Sequence, residues 1–257
     1  MNSTQHAKRL AQLALGLALG VVVTMGHSTS AAQTSAATQR EAASQTLSMR
    51  QQAIVPIAAF GAAGDMPGLA TALNRGLDAG LTVNDAKEVL IQLYAYAGFP
   101  RSLNALGELM KVVEARRQRG VEDVQGQPPK RPIPTGDALL AAGTANQTKL
   151  LGGPAKGAVY EFAPAVDQYL KSHLFGAIFE RDNFDWQSRE LATLGMLSAL
   201  PGADAQLQAH MGFSMNVGIT ASQLQEVTQV LADKVDAEAA RRAREALARQ
   251  LASREKR

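Results

Sequence analysis

Residues 73–90 read LNRGLDAGLTVNDAKEVL, and they align without a gap on residues 211–228, which read MGFSMNVGITASQLQEVT, at a constant offset of 138 positions. The alignment repeats a glycine, a threonine, a glutamate and a valine, in the pairs Gly80 with Gly218, Thr82 with Thr220, Glu88 with Glu226, and Val89 with Val227. Such self-similarity predicts that one helical unit occurs twice, packs against its copy and can share a functional site with it.

Helical periodicity extends to both sides of these two segments. Apolar residues at helical spacing predict helices at residues 54–63, 69–79, 83–96, 101–118, 164–180, 186–200, 203–217, 222–231 and 237–256. Gly80 suits a left-handed cap, Thr82 offers an N-cap oxygen and Asp85 can complete a capping box, while Gly218 and Thr220 repeat the arrangement. No strand pattern persists anywhere. The predicted fold class is therefore all-α, a helical bundle of two tandem repeats.

The first 32 residues have the layout of an export signal. Lys8 and Arg9 precede the apolar stretch Leu10–Met25, and Ser30–Ala32 supplies the small residues that a signal peptidase accepts. Roughly 16 apolar residues is short for a membrane span of about 20. We therefore expect cleavage near Ala32, a periplasmic or secreted protein and no stable membrane span after processing, with an uncleaved anchor as the alternative.

A segment rich in helix breakers divides the remaining chain into two halves. This connector is Gly120–Pro134, which reads GVEDVQGQPPKRPIP. The glycine-bearing segment Asn146–Pro154 is either a lid over a pocket or a surface loop. The expected organisation is a signal peptide (1–32), a flexible leader (33–45), a first repeat (46–118), a linker and possible lid (119–163), a second repeat (164–235) and a charged C-terminal helix (236–257).

Composition excludes several classes of function. Without residues 1–32 the chain has 24 basic and 23 acidic residues, and its basic clusters carry no interleaved aromatic side chains, so we expect no nucleic-acid partner. The sequence contains no cysteine, which rules out disulfides, thiolate metal sites and thiol peroxidase chemistry. Only His173 and His210 remain after the signal, too few for a histidine-rich metal site. We expect neither a metal centre nor a cofactor, although a lone carboxylate-bound cation stays open.

The second half resembles the carboxymuconolactone decarboxylase-like family in the order of its motifs, which are Phe175–Arg181, Asn183–Asp185, Arg189–Thr193, His210, Gly218–Thr220 and Glu226. The first half is similar to the same family at Asp78–Thr82, Glu88 and Tyr96–Pro100. The resemblance implies an all-helical fold that assembles into rings, and hence a homo-oligomer. One branch of that family uses a Cys-x-x-Cys pair, which this chain lacks. The other branch decarboxylates an unsaturated lactone without a cofactor.

Decarboxylation without a cofactor needs cations for the carboxylates of the substrate and an acid that delivers a proton to carbon. We expect His210 to carry the proton and Glu226 to orient it or set its charge state. The expected substrate-binding residues are Arg181, Arg189, Arg101 and Tyr96. The expected substrate is a small carboxylated ring compound.

Each of these residues also has a purely structural interpretation. Arg181 and Arg189 can form ordinary helix-end ion pairs with neighbouring acids, and His210 can be a hydrogen-bonded core histidine. Glu226 can support the fold, and Tyr96 can belong to a helix end packed into the core. The alternative function is accordingly a non-catalytic periplasmic binding or scaffold protein. A pocket with His210 facing inward beside an arginine favours the enzyme, and a filled apolar interior favours the scaffold.

Overall fold

The computed structural model describes residues 45–256, and these form a bundle of helices without a strand. The helices are α1 (Met49–Ala63), α2 (Met66–Asp78), α3 (Val83–Gln92), α4 (Tyr94–Gln118), α5 (Gly136–Leu151), α6 (Ala158–Phe162), α7 (Pro164–Tyr169), a π-helix (Leu170–Ile178), α8 (Trp186–Ser198), α9 (Asp204–Asn216), α10 (Ala221–Lys234) and α11 (Ala237–Glu255). The predicted all-α class is confirmed. The predicted signal segment and all of the predicted leader before residue 45 lie outside the described residues.

None of the helices in residues 45–256 combines the length and the apolar composition that a membrane span needs.

The centre of the bundle is the pair formed by α1 and α8, which make the most extensive contact between any two helices. A Cβ atom on Gly195 of α8 would lie 2.5 Å from the carbonyl oxygen of Val55 in α1, so the two backbones approach each other closely. Both helices are largely buried, and one hydrophobic core joins residues of both halves, among them Ile54, Leu73, Leu194 and Leu231. The two halves therefore fold around a shared core.

Two helical corners have the same local geometry at the predicted offset. Gly80 has a φ of 92° and Gly218 a φ of 94°, both in the left-handed region that favours glycine. Thr82 caps α3 and Thr220 caps α10, each with a complete capping box. Asp85 completes the first box as predicted. This agreement supports the predicted duplication, which stays a prediction.

The helix breaks in the first half also follow the sequence. Gly98 has non-helical backbone angles inside α4 (φ 80°, ψ 163°), which marks the predicted interruption before Pro100. The ring of Phe99 stacks on that of Tyr94, with 4.6 Å between the ring centroids. This break ends the first turn of α4, which carries Tyr96.

The connector between the halves is attached along its length. Its residues Val124 and Gln125 accept hydrogen bonds from the first two N–H groups of α3, both at 2.9 Å. Buried Arg116 of α4 also holds Asp123 through two hydrogen bonds of 2.9 Å. Because these contacts satisfy a helix start and a buried cation, the connector is part of the fold.

The segment expected to be a lid or a loop belongs mostly to α5. Residues 146–151 are helical, and α5 ends at Gly152 in the left-handed conformation. Asn146 donates hydrogen bonds to the carbonyl oxygen of Phe175 (2.9 Å) and to the carboxylate of Glu180 (2.7 Å). The surface-loop interpretation is wrong for residues 146–151, because their backbone is α-helical and packs against the π-helix. The lid interpretation stays a prediction.

Candidate active site

A cavity of about 550 Å³ lies between α9 and the wall made by α5, α7 and the π-helix. Helix α9 contributes Gln206, Ala209, His210 and Phe213, whose spacing places them on one helical face. The opposite wall is apolar and includes Leu151, Leu170, Leu174 and Phe175. Tyr96 reaches the cavity from the first half of the chain. Both halves thus contribute to one cavity of the size that small ligands occupy.

His210 is paired with a buried carboxylate at the wall of this cavity. Its Nδ1 atom lies 2.8 Å from Oε2 of Glu190, and Glu190 is fully buried. The other carboxylate oxygen of Glu190 has no hydrogen-bond partner among the described residues. This pairing orients the imidazole with Nδ1 towards Glu190, so that Nε2 is the ring nitrogen available to a molecule in the cavity.

Two aromatic rings fix the imidazole from its sides. The ring of Phe213 meets that of His210 edge to face at 4.9 Å between centroids, and the ring of Tyr96 does so at 5.9 Å. The rotation of the imidazole is therefore limited by packing as well as by its hydrogen bond to Glu190.

The Tyr96 hydroxyl belongs to a polar chain behind the cavity. It lies 3.1 Å from Oγ1 of Thr193, which accepts a 2.8 Å hydrogen bond from the side-chain amide of Gln92. Burial raises the pKa of Tyr96, and the nearby charge of Glu190 raises that pKa further. Tyr96 consequently stays a neutral phenol across the physiological range.

A second buried polar cluster surrounds Glu88 and connects the two halves. Nη2 of Arg181 approaches Oε1 of Glu88 to 2.7 Å, and Nη2 of Arg189 approaches Oε2 to 3.2 Å. Asn183 adds a hydrogen bond of 3.1 Å to the same carboxylate. Arg189 is completely buried, with its guanidinium group over the rings of two phenylalanines.

Charge and burial compete within this cluster. Burial alone would raise the pKa of Glu88, but the hydrogen bond from Arg181 and the positive charges of Arg189 and Arg181 together hold that pKa below its ordinary value. Burial lowers the pKa of Arg189 against the opposing effect of Glu88, and a guanidinium keeps its charge even so. The hydrogen bond to Glu88 raises the pKa of Arg181. The cluster is thus one carboxylate shared by two cations.

The structure separates the predicted substrate-binding arginines from the cavity. Arg181 and Arg189 are occupied by Glu88 and are not among the residues that line the cavity around His210. Arg101 lies elsewhere, where its guanidinium donates to the carbonyl oxygen of Ala63 at the end of α1. Tyr96 is the one predicted substrate-binding residue that reaches the cavity.

The expected carboxylate partner of His210 is replaced by another one. Glu226 accepts a hydrogen bond from the backbone N–H of Leu47, just before α1, and it makes no contact with His210. Glu190 takes that place because α8 and α9 cross with Glu190 facing His210. His173, the other histidine of the described chain, is exposed and lies against Tyr169.

Glu190 was missed as a catalytic candidate although the sequence holds a signal for it. It is an acid within the largely apolar helix α8, directly after Arg189, and such a residue must find a partner when it is buried. The partner is on a different helix, and helix order does not determine contacts between helices. Within residues 45–256, no group of three or more metal-binding side chains is placed to hold an ion.

Comparison with known proteins identifies the part of the chain that holds this pair. The model of the carboxymuconolactone decarboxylase family matches residues 164–249, a range that begins at α7 and ends within α11. A search of the curated proteins finds no match. The matched range contains Glu190 and His210, whereas Tyr96 and Glu88 lie outside it. Over residues 164–249, this chain is similar to the carboxymuconolactone decarboxylase family.

Proposed function

We propose that this protein is a cofactor-independent, decarboxylase-like lyase or lactone-processing enzyme in which His210, supported by Glu190, transfers a proton to a small ring compound. The observation that carries this proposal is the 2.8 Å pairing of His210 Nδ1 with a buried carboxylate at the wall of a cavity of about 550 Å³. A positioned imidazole is the commonest general acid or base in enzymes.

His210 is the only proton carrier in the proposed reaction. In a decarboxylation, the carbon–carboxylate bond breaks, carbon dioxide leaves and the electron pair remains on the ring carbon. The imidazolium of His210 then gives its Nε2 proton to that carbon and takes another from solvent. Glu190 stabilises the positive charge of the protonated imidazole before the proton is transferred, as a carboxylate does for an active-site histidine.

The cavity lining limits the kind of substrate that this site accepts. The residues that line it include no lysine or arginine, and most of the wall is apolar. The predicted pair of arginine anchors is therefore replaced by a single positive group, the imidazolium of His210. We propose a substrate with one carboxylate or carbonyl oxygen directed at His210 and an apolar, unsaturated ring against Leu174 and Phe175.

A non-catalytic binding protein is the second candidate. The observation that favours it is that Glu88 pairs with both predicted arginine anchors, so that no arginine lines the cavity around His210. In that case His210 would only select ligands that carry a negative charge or a hydrogen-bond acceptor.

Export and assembly are also proposals. Export is supported by the basic and apolar pattern of residues 1–32. Homo-oligomer formation is supported by exposed apolar side chains along α4, where Phe99, Leu103 and Met110 are each more than half exposed.

A measurement of turnover distinguishes the enzyme from the non-catalytic binding protein. We would incubate residues 33–257 with a panel of unsaturated lactone and keto carboxylic acids and follow carbon dioxide release and ring absorbance, with His210→Ala beside the unmodified sequence. The enzyme proposal predicts release that falls by at least about 100-fold in the variant. Absorbance change without carbon dioxide would indicate lactone opening or isomerisation. Ligand binding without any turnover across the panel would favour the binding protein.

A further inference from the structure

A second concave site lies on the first half of the chain. It has a volume of about 480 Å³ and is formed by α1, α2 and the last turn of α10. Pro56, Phe60 and Ala72 give it an apolar floor, and Met49 lies at its edge with 73% of its surface exposed. No residue of this site lines the cavity around His210.

The two sites correspond to each other through the internal alignment. The two helical corners are 138 positions apart, and the same offset relates five lining residues of one site to five of the other. The pairs are Gly68 with Gln206, Thr71 with Ala209, Ala72 with His210, Arg75 with Phe213, and Tyr96 with Lys234. Every member of these pairs lines its own site. Chance does not readily produce five such coincidences at one fixed offset, so the second site is the structural counterpart of the first.

Its chemistry differs from that of the His210 cavity at the positions that matter. Ala72 stands where the other site has its imidazole, so the second site has no proton carrier. Arg75 and Lys234 replace the two aromatic rings that hold His210, and within the described residues neither cation forms an ion pair. Asp78, the single acid of the lining, is already 2.8 Å from Arg116.

We propose that this second site binds a small amphipathic carboxylate without transforming it. The apolar floor takes the hydrocarbon part of the ligand, and Arg75 and Lys234 hold its carboxylate at the rim. Charge-assisted hydrogen bonds from these two cations provide the selectivity for an anion over a neutral molecule of the same shape. The second site thus offers anion binding where the His210 cavity offers acid–base chemistry.

Met49 makes the site directly observable. It is the only methionine in the lining of either site, so a ¹³C-methyl methionine NMR spectrum of the full chain, assigned with Met49→Leu, reports on this location alone. We would titrate sodium benzoate and, separately, benzyl alcohol as its neutral counterpart. The proposal predicts a saturable shift of the Met49 signal with benzoate and an apparent affinity about fivefold to tenfold weaker with benzyl alcohol.

Two pairs of variants give the matched controls. Arg75→Gln with Lys234→Gln should weaken benzoate binding about fivefold to tenfold, whereas Lys87→Gln with Lys256→Gln removes the same charge elsewhere and should leave it unchanged. Thr71→Trp should block the Met49 shift, while Ala209→Trp, at the corresponding position of the other cavity, should preserve it. A Met49 signal that does not respond to benzoate, or responds equally in the Arg75 and Lys234 double variant, would overturn the proposal.

Discussion

His210 acquires its proposed role from one neighbour, Glu190. An imidazole alone in an apolar wall would rotate between orientations, but the buried carboxylate fixes Nδ1, and the rings of Phe213 and Tyr96 limit the remaining motion. A static hydrogen bond of this kind is how active sites select one ring nitrogen for chemistry.

The Glu190→Gln substitution tests the pairing of His210 with Glu190. Glu190→Gln keeps the shape of the side chain and removes the charge that stabilises the imidazolium, so turnover should fall roughly 100-fold to 1,000-fold. Steady-state kinetics on the substrate found in the panel would measure it. Glu226→Gln is the matched control, because Glu226 does not contact His210, and it should leave turnover unchanged. Equal losses in both variants would contradict the assigned pair.

Glu88 connects the two halves of the chain by pairing with Arg181 and Arg189. Its replacement by Gln leaves Arg189 fully buried without a compensating charge, which we expect to cost about 3 kcal/mol in the free energy of unfolding. Chemical denaturation would measure the loss. Glu114→Gln removes an exposed partner of Arg117 and should have no measurable effect. A Glu88→Gln protein as stable as the unmodified chain would show that the cluster contributes little.

At the scale of elements, the cavity depends on how closely α5 approaches the π-helix. A Cβ atom on Gly143 of α5 would lie 1.7 Å from the carbonyl oxygen of Lys171, so only glycine permits this contact. The two elements supply Gln147, Leu174 and Phe175 to the cavity wall. Their close packing therefore shapes this wall of the cavity.

Gly143→Ala tests this dependence. The added methyl group should push α5 away from the π-helix, lower the free energy of unfolding by about 1–3 kcal/mol and weaken ligand binding in the cavity. Gly107→Ala in α4 is the control, since its methyl group would meet nothing within 4 Å and should stabilise that helix by about 0.5–1 kcal/mol. Calorimetry of the two variants would measure both changes in the free energy of unfolding. A Gly143→Ala protein that is more stable than the unmodified chain would refute the close contact between α5 and the π-helix.

Some features of the helices follow from the local sequence, and others do not. Most helix positions, the Gly98 break and the caps at Thr82 and Thr220 were predictable because each depends on residues within a few positions of each other. The π-helix at Leu170–Ile178 and the helices α5 and α6 were not predicted. The attached connector and the helical residues 146–151 were not, because their structure depends on distant partners such as Arg116 and Phe175.

The same distinction applies to the site. His210 and Tyr96 were predictable as residue types that suit a cavity, and both line it. The partner of His210 and the fate of Arg181 and Arg189 depend on which helices cross, and the sequence does not contain that information in a local pattern. Glu88 accepts hydrogen bonds from both arginines, a contact that only the three-dimensional packing reveals.

For the whole molecule, the Glu88 cluster predicts how stability responds to acid. The pKa of Glu88 is depressed in the folded state from an ordinary value of 4.5, so its contribution is complete above that value and disappears as the pH falls through the lower folded pKa. The stability difference between the unmodified chain and Glu88→Gln should therefore be constant from pH 7 to about pH 5 and shrink below pH 4. Urea denaturation across this range would measure it, and a difference that grows in acid would contradict the assigned charge.

The proposed function depends on one step, the transfer of a proton from His210 to a carbon atom of a molecule in the cavity. The most direct measurement is the deuterium content of the product formed in D₂O by the unmodified chain, by His210→Gln and by Ala209→Trp, which blocks the cavity beside His210. We expect one deuterium at the carbon that lost its carboxylate, and little or no product from either variant. Product formed by His210→Gln at the unmodified rate, with the same deuterium content, would contradict it.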